Sequence, residues 1–378
     1  MTMQSGLWPD ERRTLSLAEI EQAPNNPAVF IIWPREGEPY LGRTGLLRRR
    51  LLRLLKVREK PSRLLNLRDV TDHIDYWLVG SQLESSLLYY NQARQQFPET
   101  YSKLVKLRMP AYLKVTLGNE FPRTAVTTRV TGGKGLYYGP FRTRAAAEHF
   151  DSQFLDLFQI RRCEDNLEPR ADHPGCIYGE MNMCLRPCQM VVTSAQYANE
   201  VARVEHFLTT QGSSLLESIS HQRQRFSEEL DFEEAARQHK RYERVQQILS
   251  LRDELVAEIE HLCGIAVAPA AGYGKMNLWF VRRGYWHGPF EFPLAQEGGQ
   301  IVSMDTRLKE LVAQVPAKDP LGVGVRQEHL ALLARWFYST WRDGEWIGCQ
   351  SLTNIPIRRI VNAIGRVASP GRAIGKDG

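Results

Sequence analysis

The 378-residue chain contains no uninterrupted run of eighteen apolar residues. A helix that crosses a bilayer needs about 20 such residues, so the sequence excludes a membrane-spanning helix. The first residues, MTMQSGLWPDERRTLSL, also lack the basic-then-apolar pattern of a secretory signal. We therefore expect a cytoplasmic protein with no membrane partner, in which thiols stay reduced and disulfides are rare.

Cysteine is scarce, with six residues in the whole chain, yet four of the six fall within 26 residues. These are Cys163, Cys176, Cys184 and Cys188, separated by twelve, seven and three residues. Clustered thiolates among prolines and glycines are typical of a metal or iron–sulfur site. Four thiolates suit either zinc or an iron–sulfur cluster, so the spacing alone leaves both open.

Acidic residues are scarce between Tyr40 and Val70, a stretch that contains ten lysines and arginines but only two carboxylates. This local excess of eight positive charges is larger than the +6 of the whole chain. Such a basic stripe favours binding to nucleic-acid phosphates, although a solvated helix face has the same pattern. The candidate DNA contacts lie on a helix predicted over 45–57 and are Arg48, Arg49, Arg53 and Lys56.

Hydrophobic periodicity and capping residues predict the regular elements. We expect helices over 15–26, 82–96, 195–208, 213–228 and 326–341, and a long helix from Asp231 to about His261. Strands are expected over 28–33, 73–79, 111–117, 124–130, 264–268, 276–282 and 285–292. The tryptophans of the last region are predicted to form a core and are Trp279, Trp286, Trp336 and Trp341. The fold class is α+β, in several domains.

The run RRCED…GCIYGEMNMCLRPC resembles the cysteine region of the C subunit of bacterial excinuclease ABC. The YYGPF run over 137–141 is also similar to this family. The resemblance implies that the four clustered cysteines hold a [4Fe-4S] cluster, with zinc as the alternative. It also implies a role in DNA repair.

The N-terminal hairpin and helix resemble a GIY-YIG nuclease domain, which this family carries at its N-terminus. The half-motifs are AVF over 28–30 and YLG over 40–42. By resemblance the catalytic candidates are Tyr40, Arg43 and Arg50.

The expected catalytic set is incomplete. Phe30 replaces the first tyrosine of the motif, and Tyr89 falls where the family has its metal-binding glutamate. Metal-assisted hydrolysis of a phosphodiester needs its metal ligand, so we expect a degenerate site. The alternative is a shifted alignment in which Glu84 or Asp75 is the metal ligand. Mg²⁺ is expected as a cofactor only if the nuclease site is active in this way.

The segment LDFEEAAR over 230–237 resembles the UVR motif, a helical hairpin that pairs with the B subunit of the excinuclease. The resemblance makes Leu230, Phe232, Ala235 and Ala236 the partner-binding candidates. Two small alanines permit close helix approach, and two apolar side chains can serve as anchors. An ordinary intramolecular hairpin is the alternative.

Four regions are expected. They are a GIY-YIG-like domain (1–108), a connector with the four-cysteine segment (109–192), a helical region with the UVR-like hairpin (193–262) and an α/β segment resembling an incomplete RNase H-like region (263–378).

Three functions follow from these observations. The first is a shortened relative of the C subunit, a DNA-binding nucleotide-excision-repair protein that docks on the B subunit, with its nuclease activity doubtful. The second is an active, partner-dependent GIY-YIG endonuclease that incises damaged DNA. The third is a zinc-binding adaptor that uses the hairpin and does not bind DNA.

Overall fold

The computed structural model describes residues 11–56, 66–164, 167–295, 302–319 and 322–369. Within these ranges the chain forms three four-stranded antiparallel sheets, with helices packed around them. The expected mixed α+β fold is confirmed. No helix in the described ranges is long and apolar enough to cross a membrane.

The three sheets follow one another along the chain, and each uses four strands that are consecutive in sequence order. The first has the order β1-β4-β2-β3, the second β6-β5-β7-β8 and the third β11-β10-β9-β12. The strands are β1 Arg13–Leu15, β2 Ala28–Pro34, β3 Tyr40–Thr44, β4 Thr71–Leu78, β5 Ala111–Val115, β6 Thr124–Thr127, β7 Leu136–Phe141, β8 Ala257–Glu258, β9 Cys263–Pro269, β10 Lys275–Arg282, β11 Tyr285–Pro293 and β12 Glu345–Gly348.

Twelve α-helices fall within the described residues, together with 3₁₀ helices at Leu17–Gln22 and Pro187–Gln189. The α-helices are α1 Leu47–Leu54, α2 Leu67–Val70, α3 Gln82–Gln96, α4 Tyr101–Val105, α5 Arg144–Leu155, α6 Ile177–Glu180, α7 Ser194–Thr209, α8 Ser213–Glu228, α9 Phe232–Ser250, α10 Met304–Ala313, α11 Val323–Phe337 and α12 Ile357–Ala368.

Strand β2 is apolar on both sides because the first sheet is covered on both faces. Val29 and Ile31 pack into a core that includes α3, whereas Ala28, Phe30 and Ile32 pack into a core that includes α1. Successive side chains of a strand point to opposite faces, so a continuous apolar run fits this position. β3 and β1 are the two edge strands of this sheet.

The first and last regions of the chain share one hydrophobic core. Buried side chains of the first sheet and α3, such as Val29 and Leu83, belong to the same cluster as Trp279, Leu330 and Trp336. Helix α11 therefore packs against the N-terminal domain although more than 200 residues separate them in sequence. The predicted boundaries at 108, 192 and 262 stay a prediction.

Three local expectations are wrong. Residues 15–26 are not an α-helix; strand β1 and a 3₁₀ helix occupy this stretch, and Thr14 donates to Asp75 on β4 at 2.6 Å. The long helix α9 ends at Ser250 rather than near His261, because Leu255 and Val256 are buried and the chain then pairs as β8 with β7. Trp341 is 42% exposed and lies outside the core that contains the other three tryptophans.

Candidate nucleic-acid interface and thiol segment

A cleft of about 780 Å³ opens beside the edge strand β3. Its walls come from β3, α3, the segment 104–110, the end of β7 and the last turns of α11. Its basic lining residues are Arg43, Lys106, Arg108, Arg142 and Arg335, and no aspartate or glutamate lines it among the described residues. Uncompensated positive charge in a concave site attracts anions, so the cleft is suited to phosphate.

Arg43 lies where β3 meets α3. Its guanidinium sits 5.4 Å from the centre of the Tyr89 ring and donates to Ser86 Oγ at 3.3 Å. Burial and the neighbouring guanidinium of Arg335 both lower the pKa of Arg43. The position where the family resemblance places a metal-binding glutamate is therefore covered by a cation stacked on a phenol ring.

Tyr40 and Arg50, two of the catalytic candidates, lie in contact. Arg50 on α1 donates to the Tyr40 hydroxyl at 3.3 Å, and Tyr40 lines the cleft. Phe30 is fully buried in the core beneath α1, with its ring centre 6.1 Å from that of Tyr40. Phe30 thus supplies packing and offers no group to the cleft.

The two alternative metal ligands point away from the cleft. Glu84 accepts from the backbone N–H of Gly80 at 2.7 Å and from Asn277 Nδ2 at 3.0 Å. Asp75 accepts from Thr14 and from the indole N–H of Trp33 at 2.9 Å. Both carboxylates link structural elements, and neither lines the cleft.

The buried carboxyl of Glu84 predicts a pH-dependent stability. Burial is the main cause that raises the pKa of Glu84 to about 7 from a usual 4.5. The folded state therefore binds a proton that the unfolded state has lost, and stability falls as the pH rises from about 4.5 to about 7. At most about 3 kcal/mol of stability is lost over this interval.

We expect Glu84→Gln to reduce the stability difference between pH 5 and pH 8, because glutamine does not ionise. Its amide can donate to Asn277 Oδ1, which is buried and has no hydrogen-bond partner in the described structure. Urea denaturation of both proteins at both pH values measures the effect. Glu84→Ala serves as the control and should destabilise at both pH values, and an unchanged pH difference in Glu84→Gln would contradict the assignment.

The basic face of α1 lies next to the cleft through Arg50. Arg48, Arg49 and Arg53 on α1 and Lys56, two residues past its end, are exposed, while Leu47 and Leu51 on the opposite side of the helix are buried. No ion pair to a carboxylate involves these four side chains within the described ranges. The predicted DNA-binding stripe also includes Arg58, Lys60 and Arg63, which lie outside the described residues.

The four clustered thiols lie in a segment of tight turns. Cys184 and Cys188 are buried, Cys163 is half-buried and Cys176 is exposed. Burial raises the pKa of Cys184 to about 11, and the other three thiols add to this shift. Ionisation of Cys184 is therefore disfavoured by burial first and by the other three thiols second.

Hydrogen-bond donors already face two of these sulfurs. Arg161 Nη1 lies 3.7 Å from Cys163 Sγ, and the backbone N–H of Arg186 lies 3.4 Å from Cys184 Sγ. Such donors accompany thiolates in iron–sulfur sites. Nevertheless, no three histidine, cysteine, aspartate or glutamate side chains of the described residues are arranged to hold a metal ion as they stand.

Helices α8 and α9 are consecutive and pack against each other, and the UVR-like character of this pair stays a prediction. Leu230 and Phe232 at its tip are 72% and 66% exposed, and the Asp231 side chain caps α9 by accepting from the N–H of Glu234 at 3.1 Å. Ala235 is half-buried and Ala236 is exposed. The tip therefore presents two apolar side chains to solvent.

Sequence reasoning missed most of the cleft. Lys106 and Arg108 precede β5, Arg142 follows β7, and Arg335 lies on α11. No motif in the sequence connects these four positions with Arg43. Only the packing of α11 against α3 brings Arg335 into the same cleft.

Comparison with known proteins gives the relationship of the chain. Residues 111–207 match the family model described as UvrC/Cho excinuclease, middle domain. The chain is similar to proteins named UvrABC system protein C. It is 24% identical over 270 residues to that of Lachnospira eligens, 28% over 268 residues to that of Moorella thermoacetica and 25% over 278 residues to that of Agrobacterium fabrum.

These alignments cover 70%, 70% and 73% of this chain but 44%, 43% and 41% of the relatives. The chain thus spans less than half the length of the curated relatives it matches. No solved structure matches it.

Proposed function

We propose that this UvrC-type protein acts in nucleotide excision repair by holding DNA phosphates in the β3 cleft without cutting the strand. The relationship to UvrABC system protein C supports the repair role. The observation that carries the proposal is the lining of the cleft, which has five basic side chains and no carboxylate among the described residues. A non-bridging phosphate oxygen in the cleft would accept hydrogen bonds from Arg43 and Arg335, which both line it.

The same lining opposes hydrolysis. A GIY-YIG-like fold would cut DNA with a metal ion that activates water and stabilises the leaving oxygen. Here Arg43 lies over Tyr89 at the position of the expected ligand, and a guanidinium repels a divalent cation. Tyr40 and Arg50 then orient a phosphate, since a phenol and a guanidinium donate hydrogen bonds to its oxygens.

The basic face of α1 extends this surface. Its basic side chains are exposed near the cleft and would contact the phosphates of a duplex through their charge. Contacts of this kind position DNA without reading its sequence. We propose Arg48, Arg49, Arg53 and Lys56 as the phosphate contacts of this face.

A salt titration of DNA affinity tests the proposal. We expect duplex DNA to bind at low salt with an affinity that falls steeply as salt rises, because each neutralised phosphate releases counterions. Adding EDTA should leave the affinity unchanged, since arginines rather than a metal hold the phosphate. Absence of binding at low salt would contradict the proposal and favour the adaptor function.

The exposed hairpin tip supports docking on the B subunit of the excinuclease. We propose Leu230 and Phe232 as the apolar anchors, with Ala235 and Ala236 allowing the partner helices to approach closely. The nearby charges of Glu234 and Arg237, which pair with each other, would set the register of the helices.

Replacing both Leu230 and Phe232 by alanine is expected to weaken binding to the B subunit by at least about tenfold, because buried apolar anchors dominate such interfaces. Both side chains are mostly exposed in the free protein, so the thermal stability should not change. Calorimetric titration with the purified B subunit measures the affinity. The matched control is Gln222→Ala on the exposed side of α8, and equal affinity of all three proteins would exclude this docking mode.

We also propose that Cys163, Cys176, Cys184 and Cys188 hold a [4Fe-4S] cluster that links the connector to the helical arm. Their clustering within 26 residues of sequence and the hydrogen-bond donors near Cys163 and Cys184 support this donor set. Such a cluster would be structural, because four thiolates fill its coordination. Zinc is the alternative metal, and elemental analysis separates the two.

A further inference from the structure

Two cysteines outside the 163–188 segment lie opposite each other on neighbouring strands of the third sheet. Cys263 begins β9 and Cys349 follows β12, and the pairing of Gly264 with Gly348 places them directly opposite. Their sulfur atoms are 2.8 Å apart, and the N–H of Cys349 donates to the carbonyl oxygen of Cys263 at 3.1 Å. Thiols on directly paired strands can join with little backbone movement.

The two thiols differ in access and in acidity. Cys263 is buried, whereas Cys349 is half-buried and accessible to solvent. The hydrogen bond between them lowers the pKa of Cys349 and raises the pKa of Cys263, which burial raises further. Cys349 is therefore the thiol that ionises first, and a thiolate is the reactive form of cysteine.

We propose that Cys263 and Cys349 form a reversible disulfide when the protein meets a peroxide. The inference rests on the third sheet alone and is independent of the DNA-binding function. It also differs from the expectation that thiols of this chain stay reduced.

The chemistry balances with hydrogen peroxide as the oxidant. The Cys349 thiolate attacks one peroxide oxygen, so that an S–O bond forms, the O–O bond breaks and the departing hydroxide takes a proton to become water. Cys263 then attacks the resulting sulfenic sulfur, forming the S–S bond and breaking the S–O bond. The second hydroxide leaves with the proton of Cys263 as water, so two thiols lose two electrons and one peroxide becomes two waters. A dithiol reverses the bond by exchange.

The bond would tie β12 to β9 and close a large loop of chain. This loop contains α11, whose C-terminal part carries Arg335 and continues through residues 338–344 into β12. Tyr338 and Ser339 also line the cleft. Oxidation therefore fixes β12, the strand that follows the C-terminal wall of the cleft. It also raises the free energy of unfolding, because the bond restricts the conformations of the unfolded chain.

Peptide mapping of the full-length protein tests the inference. The protein is reduced, freed of reductant, treated with graded hydrogen peroxide, alkylated and digested without reduction. We expect a disulfide-linked peptide pair that contains Cys263 and Cys349, which disappears after dithiothreitol. The oxidised protein should also unfold at a higher temperature than the reduced protein.

Cys349→Ser provides the matched control and should show neither the linked pair nor the oxidation-dependent temperature shift. The wild-type measurement decides the question even if this variant is unstable. Free or overoxidised Cys349 in the treated wild-type protein, with no linked pair, would overturn the proposal. Linkage of Cys263 or Cys349 to the 163–188 cysteines would overturn it as well.

Discussion

Replacing Cys184 by serine is expected to give colourless protein, or protein that is largely insoluble. Cys184 is buried, and the backbone N–H of Arg186 donates to its sulfur. The segment around it has little regular structure, namely the four-residue helix α6 and a short 3₁₀ helix within the described residues. The proposed cluster would then contribute much of the order of this segment, and a variant that also leaves a polar group in the buried Cys184 position would lose both the cluster and this order.

Iron and zinc content with an ultraviolet–visible spectrum, on anaerobically purified protein, measures this effect. Because Cys184→Ser can fail to fold, Cys176→Ser is the second variant: Cys176 is exposed, so its serine form should stay soluble while losing iron. Cys349→Ser lies outside the segment and should keep the wild-type colour. Wild-type brown absorption and iron content in Cys184→Ser would show that the ligand assignment is wrong.

The double variant Arg43→Ala, Arg335→Ala is expected to bind DNA about 100-fold more weakly at moderate salt, or about tenfold for each lost phosphate contact. The two guanidiniums face the same cleft, and the charge of Arg335 lowers the pKa of Arg43. The two guanidiniums repel each other, and no carboxylate among the described lining residues neutralises them. A bound phosphate would therefore be stabilised by both charges. The slope of affinity against salt should fall by about two, one for each contact.

Fluorescence anisotropy with a labelled duplex measures affinity and salt slope together. Arg359→Ala is the matched control, since Arg359 is exposed and paired with Glu254 at 2.6 Å, outside the cleft. The variant Arg43→Lys, Arg335→Lys keeps the charge and should recover most of the affinity. Equal affinity of the double alanine variant and wild type would place the DNA elsewhere.

Elements that carry their own start and stop signals were predictable from local sequence. Helix α3 runs over 82–96 as predicted, because Ser81 caps it through the N–H of Glu84 and its apolar residues repeat with helical spacing. Helix α8 likewise matches 213–228. The hairpin of β10 and β11 turns at Arg283 and Gly284, both with positive φ, as expected for this pair.

Features that depend on distant contacts were not predictable. The end of α9 is set by burial of Leu255 and Val256 and by the pairing of β8 with β7, which helix periodicity does not report. The C-terminal wall of the cleft depends on Glu328, which accepts from the hydroxyls of Tyr90 at 2.6 Å and Tyr101 at 2.7 Å and so anchors α11 to α3 and α4. Local patterns indicated the β3 side of the site and contained no sign of Arg335.

The proposed role of the cleft is to hold a phosphodiester and leave it intact. The decisive experiment is incision of a lesion-bearing duplex by this protein with the A and B subunits of the excinuclease and Mg²⁺, scored beside retention of the DNA in the complex. We predict retained DNA with no strand break above a no-protein control, while a curated UvrC relative cuts under the same conditions. Mg²⁺-dependent incision by this chain that is lost in Tyr40→Phe would contradict this role.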